Sequence, residues 1–475
     1  MYHQIVLSLL FSVTFMLAFP PFEFWPCILV APAMLVLASL RANRWYSLVA
    51  CLGSTQLVMW LWIQSWVQEV SELGWPLLSI HLTMWPVLLA LAFRRLIRSN
   101  RFASVPLAVL VPLGCVTMDY LRGTIMFNGY AWYLIGQPMI GCLPLAQVAD
   151  LGGQELVGIL PASVGGVLAD FILDRSAGYR RFPRGIVVTG VIAVFVLGYG
   201  LLRIRPLEYG LPGPTTILVQ TNLPTSNKIA WTPEQQLRDA DSFAKQTLDA
   251  IQSARKDGIQ PDLVVWPETM LPGVGLEEES TQAMLSWGSG FGNHFRTFAS
   301  QLRELGGVPL LLGSSGYDGL ASNEDGALTY DARYNSVYLI DRSLPDARYD
   351  KVHLTPFGER MPIISDFPWL EEALLSIGAE GMSFDLEEGA SADPLEMFWG
   401  ELENQSPVRF GAPVCFEDTV AEVCREMIWN GNQKDALLLI NLSNDGWFGT
   451  SIKGRRMHLQ ASRFRAIENR VDLLR

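Results

Sequence analysis

The stretch Val408-Arg409-Phe410-Gly411-Ala412-Pro413-Val414-Cys415-Phe416-Glu417-Asp418 passes from an apolar run into a cluster of reactive side chains. Its β-branched and aromatic residues predict a strand over Val408–Val414, and the residues that follow read as the start of a helix. Cys415 is thereby placed at a strand-to-helix corner. Backbone N–H groups and the positive end of a helix dipole at such a corner favour thiolate. Taken alone, however, a cysteine that ends a strand is more often a small buried hydrophobe than a nucleophile. What the other strand ends carry decides between the two.

Working outward, two more predicted strands end on reactive residues. Leu263-Val264-Val265-Trp266-Pro267-Glu268 closes on a carboxylate whose apolar approach favours a base. Tyr349-Asp350-Lys351-Val352-His353-Leu354-Thr355-Pro356-Phe357-Gly358-Glu359 offers a lysine, a histidine and a second carboxylate before a turn. Singly, Glu268 reads as a turn cap, Lys351 as a solvated charge and His353 as a polar turn residue. Jointly, Glu268, Lys351 and Cys415 form a complete set: a base for the thiol proton, a nucleophile, and an ammonium that stabilises a tetrahedral oxyanion together with the N–H after the cysteine. A Cys–His pair using His353 or His458 is the competing arrangement, and the chemistry alone does not choose the base. Cys415 and Cys424 are the only cysteines beyond Cys142, so a disulfide between them is a further alternative, but no disulfide framework or metal-ligand spacing is present.

The same alternation of strands and helices extends over the C-terminal half. Strands are predicted at Thr216–Gln220, Leu263–Trp266, Pro309–Ser314, Ser336–Ile340 and Ala436–Asn441, and helices at Thr232–Lys256, Thr281–Leu305 and Gly454–Asn469. That pattern indicates an α/β domain with its chemistry at strand ends.

The N-terminal half differs in composition. Residues 1–205 hold 13 Arg, no Lys and 8 acidic residues, a net of +5; with 35 basic and 47 acidic residues in the whole chain, 206–475 is left with 22 and 39, a net of −17. An acidic C-terminal half lacks the basic face that nucleic acid requires. Apolar runs recur at Ile5–Phe19, Cys27–Leu40, Ser47–Trp66, Leu77–Phe93, Ala103–Met118, Leu156–Leu173 and Ile186–Leu202, which predicts seven membrane spans. The first run lacks the basic flank and cleavage site of a signal peptide. Arginines follow the second run (Arg41, Arg44), the fourth (Arg94, Arg95, Arg98, Arg101) and the sixth (Arg175, Arg180, Arg181, Arg184), whereas the alternate loops carry Glu23, then Glu69 and Glu72, then a lone Arg122. The arginine loops are thus expected on the cytoplasmic side, and everything after Leu202 on the other; Arg203 and Arg205 run against this. Asp119 and Arg122 near a span end read either as an interfacial ion pair or as holders of a lipid headgroup. The expected division is a transmembrane domain at 1–205, a Pro/Gly linker at 206–213 and a catalytic domain at 214–475, without repeats or low-complexity tracts.

The three strand ends resemble the active-site motifs of the carbon–nitrogen hydrolase (nitrilase) superfamily, in the family's order: Trp266-Pro267-Glu268-Thr269, Asp350-Lys351-Val352-His353 continuing to Glu359, and Val414-Cys415-Phe416-Glu417. With Ser443-Asn444-Asp445-Gly446-Trp447-Phe448-Gly449, Val219-Gln220-Thr221-Asn222-Leu223-Pro224 with Trp231, and Leu121-Arg122-Gly123 with Gly129-Tyr130-Ala131-Trp132, the chain resembles the bacterial apolipoprotein N-acyltransferases over almost its full length. That resemblance implies a multi-span helical membrane domain joined to an α-β-β-α sandwich. It also implies Glu268 as general base, Lys351 as oxyanion stabiliser and Cys415 as acyl-carrying nucleophile, with Glu359, Glu417, Trp231 and Trp447 in support and neither cofactor nor metal. The expected partners are a phospholipid acyl donor and a diacylated apolipoprotein acceptor, for a monomeric enzyme of the bacterial inner membrane with its catalytic domain on the periplasmic side. The alternatives are a membrane-tethered amidase or nitrilase, and an inactive nitrilase-like receptor. Three departures stand out. Phe416 occupies a frequent Tyr position, Gly381–Ser406 is long and acidic, and the chain stops at Val471–Arg475, where the family continues into a further strand and an eighth span. An open sheet edge is the expected consequence.

Overall fold

The computed structural model describes residues 2–99, 104–177, 182–204, 213–223, 231–323, 327–362, 385–399 and 406–475, with single positions at 102, 364, 367 and 369. The expected linker at 206–213 lies outside the described residues except for Gly213, as do Arg101, Arg180, Arg181, Arg205 and parts of the acidic 381–406 segment. Two compact units form, one mainly from Met1–Tyr209 and Thr450–Arg470, the other mainly from Gly210–Met361, Gly381–Gly449 and Val471–Arg475.

All seven apolar runs of the N-terminal unit become helical, but they do not make seven equivalent spans. Among the described residues, Trp45–Glu69, Gly74–Ile97, Leu107–Asn128 and Phe182–Arg203 are long and apolar enough to cross a bilayer, and the pair Ala149–Val157 and Ile159–Leu173, bent by 41°, makes a fifth if counted as one span. Tyr2–Ala18 and Trp25–Arg41 are shorter apolar helices. Local chemistry accounts for the shortfall. Pro20 and Pro21 cannot continue the first helix, and the sixth run bends at Gly158, between Ala149–Val157 and Ile159–Leu173, a few residues after the non-helical Gly152 and Gly153.

Charge placement in this unit follows helix ends. Arg94 Nη2 donates to the Asn43 carbonyl at 2.9 Å and Nη1 to Ser39 and Ala42, while Arg98 Nη2 donates to Leu40 and Ala42 at 2.7 and 3.0 Å. These arginines therefore complete the carbonyls at the C-terminal end of helix Ala31–Arg41, where cations are favoured. The 41–44 and 94–98 arginines thus share one end of the helical unit. Arg203, which ran against the charge pattern, is held by Asp150 through Nε and Nη2 at 3.0 and 2.8 Å.

Asp119 and Arg122 are both buried, 1% and 3% exposed. Arg122 donates to the Trp132 and Tyr133 carbonyls at 2.8 and 3.0 Å, Asp119 accepts from the Ile135 N–H at 2.7 Å, and the two side chains lie 3.7 Å apart. The pair fastens the 130–135 loop and does not face a headgroup.

Helix Ile452–Asn469, inside the expected 214–475 domain by sequence, makes its contacts within the first unit. Polar contacts hold it there. Gln460 Nε2 donates to the Gln137 carbonyl at 3.1 Å, and Glu468 accepts from the Gln154 N–H at 2.9 Å and from Arg465 at 2.6 Å. Lys453 Nζ sits 3.8 Å from the Trp62 ring centroid and donates to the Trp62 carbonyl, and Arg470 Nε reaches Asp150 at 2.8 Å.

The second unit is built on two sheet layers. The first orders β1 (Thr216–Leu218), β2 (Leu263–Val265), β3 (Leu310–Asp318), β6 (Ala332–Ile340) and β7 (Ala347–Asp350), with β1–β2–β3 parallel and β3–β6–β7 antiparallel. The two-residue ladders β4 (Ala321–Ser322) with β5 (Leu328–Thr329), and β10 (Trp429–Asn430) with β11 (Gln433–Lys434), are peripheral. In the second layer β8 (Leu395–Trp399) pairs with β9 (Ser406–Phe410), and β12 (Leu438–Ile440) with β13 (Asp472–Leu474), while bridges Gly411↔Leu439 and Val414↔Leu442 link the two pairs. Alternate residues of β2 and β3 divide between two cores. Val265 and Leu311 join Met397, Phe410, Leu439 and the helix Ala421–Ile428 between and behind the sheets; Val264, Leu310 and Leu312 face helices Pro233–Lys256 and Phe291–Gly306 through Phe243, Phe295 and Leu302. The layers run helix, sheet, sheet, helix, as the resemblance implied. The expected open edge is not found beside β12, because Asp472–Leu474 pair with it in parallel.

The Asp119–Arg122 pair yields a direct test. Asp119→Ala strands a buried guanidinium and should cost about 3–5 kcal/mol, with Asp119→Asn recovering part by accepting from Ile135. Thermal unfolding in detergent reads both, and equal melting of wild type and Asp119→Ala would show the pair to be dispensable.

Candidate active site

Three loops converge at the ends of β2, β7 and the β9–β12 bridge. Behind Glu268, Trp266 is fully buried, with Nε1 donating to Thr247 Oγ1 at 3.0 Å. Gly313 on β3 lets the Glu268 turn lie flat, since a Cβ there would come 2.4 Å from the Pro267 carbonyl oxygen. The carboxylate, 6% exposed, accepts from Asn335 Nδ2 at 2.8 Å and from the Asn444 N–H at 3.2 Å.

Lys351 follows β7 and has no exposed surface. Its N–H donates to the Asn335 carbonyl at 2.9 Å, while Nζ donates to Glu359 Oε2 at 2.6 Å and Thr355 Oγ1 at 3.3 Å. Glu359 also accepts from the Thr355 N–H at 2.8 Å and from Asn335 Nδ2 at 3.2 Å, so one asparagine bridges two carboxylates. Burial opposes the ammonium charge, but the fields of Glu359, Glu268 and Cys415 overcome it and hold Lys351 above the ordinary lysine value. Burial likewise opposes the charge of Glu359, and the adjacent Lys351 ammonium outweighs it to hold the carboxyl low. The pair is an ammonium–carboxylate at neutral pH.

Cys415 does not open a long helix. It begins a single 3-10 turn, Cys415–Thr419, ahead of the helix Ala421–Ile428, and its own φ is +50°. Such a left-handed conformation in a non-glycine residue costs about 1–3 kcal/mol and persists only where the surroundings fix it. Here the Cys415 N–H donates to the Leu442 carbonyl at 2.9 Å, and its carbonyl accepts from Asn441 Nδ2 at 3.1 Å. The dipole expectation is overturned: burial, then the Glu268 carboxylate, push the thiol well above its ordinary value, with Lys351 opposing. The resting thiol is protonated and needs a base. Cys415 and Cys424 are both free, and Cys424 lies in the core between the sheets.

Glu417 joins two of the loops. It accepts from the Val414 N–H at 2.7 Å, from the Val352 and His353 N–H groups at 2.8 and 3.0 Å, and from the Tyr349 hydroxyl at 2.9 Å. Burial raises its carboxyl to about 7 although Lys351 and the N–H donors favour its charged form.

The histidine alternatives do not fit. His353 stacks on Phe416, centroids 6.2 Å apart, and its Nε2 has no hydrogen-bond partner. Burial and then Lys351 hold its pKa low. His458 belongs to the other unit, where its ring packs against Trp132 at 5.5 Å. Of the residues expected from sequence, Glu268, Lys351, Cys415, Glu359 and Glu417 come together. Trp231 instead donates its Nε1 to Asp239 at 2.8 Å, against helix Pro233–Lys256, and Trp447 is half-buried in the 3-10 turn Asp445–Phe448. Sequence reasoning missed Asn335, Asn444, Tyr349 and Thr355. Asn444, Tyr349 and Thr355 lie inside quoted motifs without having been given a role, and the signal for Asn335 was the polar pair Asn335-Ser336 ahead of the apolar Val337–Ile340 end of β6.

Two family models match this chain, one described as the apolipoprotein N-acyltransferase N-terminal domain over residues 11–167, the other as carbon–nitrogen hydrolase over residues 228–471, slightly more than half of the sequence. An apolipoprotein N-acyltransferase from Geobacter metallireducens is 28% identical over 419 residues, covering 86% of this chain and 69% of its own. One from Vibrio cholerae is 27% identical over 481 residues, covering 97% and 82%. Among solved structures, an amidase from Nesterenkonia sp. aligns over 56% of this chain and 78% of its own, with a TM-score of 0.31 and 18% identity. The chain belongs to the carbon–nitrogen hydrolase superfamily and, within it, to the apolipoprotein N-acyltransferase family. It is an acyltransferase with apolar membrane-type helices in its N-terminal half.

Glu417 gives the site a pH signature. Its folded pKa of about 7 lies above the ordinary 4.5. Its contribution to stability is therefore fully present below 4.5 and is lost as pH rises through about 7. Glu417→Gln should remove that part of the slope. It should also turn an NH2 group toward backbone donors, at a cost of about 1–3 kcal/mol. Denaturation across a pH series reads both effects, and parallel profiles for the two proteins would refute the assignment.

Proposed function

We propose that this protein transfers a fatty acyl group from a membrane phospholipid to the N-terminal amine of a diacylglyceryl-cysteine lipoprotein. The observation that carries this reading is the convergence of a protonated, partly buried thiol, a buried carboxylate and a buried ammonium, in a chain whose N-terminal half is rich in apolar helices. In the first half-reaction Glu268 takes the Cys415 proton, and the thiolate adds to the ester carbonyl of the phospholipid. Lys351, with the N–H following Cys415, stabilises the oxyanion. Collapse expels the lysophospholipid alkoxide, which takes the proton from Glu268 and leaves a thioester. In the second half the lipoprotein's α-amine adds to the thioester and gives its proton to Glu268; collapse forms the amide, and the departing thiolate recovers that proton.

Supporting roles follow from the contacts. Glu359 fixes the Lys351 ammonium, and Glu417 ties the nucleophile turn to the lysine loop. We assign Trp231 and Trp447 no part in the proton transfers. We further propose that this is a monomeric inner-membrane enzyme with its catalytic residues on the periplasmic side; the arginines shared by one end of the helical unit support a cytoplasmic placement of that end.

Incubation with labelled phospholipid and a diacylated lipopeptide tests the reading. Wild type should yield acylated peptide and, without acceptor, an acyl adduct on the Cys415 peptide by mass. Cys415→Ser should lose both, and Lys351→Met should slow transfer by about 10²–10³-fold, as removal of an oxyanion donor does. Release of free fatty acid without acylated peptide would make the protein a hydrolase instead.

A further inference from the structure

We propose that Arg475 is a positioning residue for the nucleophile: its guanidinium spans Asp418 and Asp445 and thereby locks the Cys415 turn to the Ser443–Gly449 loop. Nε donates to Asp418 Oδ2 at 3.1 Å, and Nη2 donates to both oxygens of Asp445 at 3.0 Å. This role rests on the reading of Cys415 as nucleophile.

The geometry begins with β13. Its register sets Leu474 opposite Ile440, and the Leu474 carbonyl accepts the Asn441 N–H at 2.8 Å. Asn441 in turn donates its Nδ2 to the carbonyls of Pro413 and Cys415, both at 3.1 Å. The backbone of β13 is thus one hydrogen-bonded residue away from the cysteine, and Arg475, the residue after the strand, reaches the far end of the same turn. Asp418, fully buried in Cys415–Thr419, needs a cation, since an unpaired buried carboxylate is strongly unfavourable. Only a forked, planar group serves two separate carboxylates in this way; a lysine is a single point of charge.

The charge distribution gives the lock a second effect. The thiol lies in the fields of Glu268 after β2, Lys351 and Glu359 after β7, Asp445 of the following loop, and Arg475; its own turn also carries Glu417, bonded to the lysine loop, and Asp418, paired with Arg475. Asp445 opposes thiolate formation, and Arg475 both pairs with Asp445 and feels the cysteine charge. Replacing it should disorder the turn and unmask Asp445 together.

The test uses the full chain in detergent, with two readouts: the pH profile of Cys415 carbamidomethylation by iodoacetamide, followed by peptide mass, and steady-state acyl transfer. Arg475→Gln should move the alkylation profile to higher pH and lower kcat by about 10–100-fold with KM within about twofold. A second change, Asp445→Asn, should bring the profile back toward wild type, and Arg475→Lys should fall between. A folded Arg475→Gln protein with wild-type profile and kcat overturns the proposal, as does a loss that Asp445→Asn leaves untouched. Should Arg475→Gln fail to fold, wild-type behaviour of Arg475→Lys overturns it equally. Retained transfer in Cys415→Ser would instead remove the nucleophile assignment, whatever Arg475 does.

Discussion

An ammonium with no exposed surface sets the terms for this site. Lys351 would be intolerable where it lies if it faced hydrocarbon alone, because desolvating an unpaired charge costs more than a marginal fold can spare. Glu359 at 2.6 Å answers it directly, and Glu268 and Glu417 add their fields. Those carboxylates need donors in turn, which the side chains of Asn335 and Tyr349 and the backbone N–H groups of Asn444, Thr355, Val352, His353 and Val414 provide. The result is a polar network in which each loop is held by a charge on another.

The network explains why the nucleophile is strained and yet protonated. Cys415 sits at φ +50°, between hydrogen bonds to Leu442 and Asn441, so its side chain is presented at the tip of a corner. Partial burial and the neighbouring carboxylates oppose ionisation of the thiol, whereas a helix dipole would promote it. A neutral thiol beside a carboxylate base forms thiolate only as the proton is accepted, which restricts reactivity toward adventitious electrophiles while keeping the ammonium ready for an oxyanion.

Part of the site was legible because Glu268 and Cys415 each follow an apolar run, and strand ends are where an α/β layer exposes chemistry. Lys351 follows the polar strand Ala347–Asp350 and stood out only as the third member of a complete chemical set. The supports of these three do not stand out, since the link from Glu417 to Val352 spans 65 residues and that from Asn335 to Glu268 spans 67. Helix Ile452–Asn469 was legible as a helix but not in its allegiance. It buries His458, Gln460, Arg465 and Asn469 beside Met457 and Phe464, so it shows no apolar stripe, and its neighbours are chosen by specific polar partners. The seven apolar runs were correctly read as helical, but hydropathy does not register the proline pair that stops the first of them or the bend at Gly158 in the sixth.

Arg203 shows how local pairing and whole-chain charge coexist. The arginine pattern orients a membrane protein through charges that stay solvated or cap helix ends, as Arg94 and Arg98 do at the carbonyls of helix Ala31–Arg41. Arg203 is partly solvated and partly paired. Its guanidinium meets Asp150, 5% exposed at its side chain, which also receives Tyr199 and Arg470. One carboxylate offsets only one of those two guanidiniums, but the bidentate contact fixes Arg203 to a specific partner inside the helical unit. A local structural demand therefore accounts for its position, whereas Arg94 and Arg98 follow the general rule for cations at helix C-terminal ends.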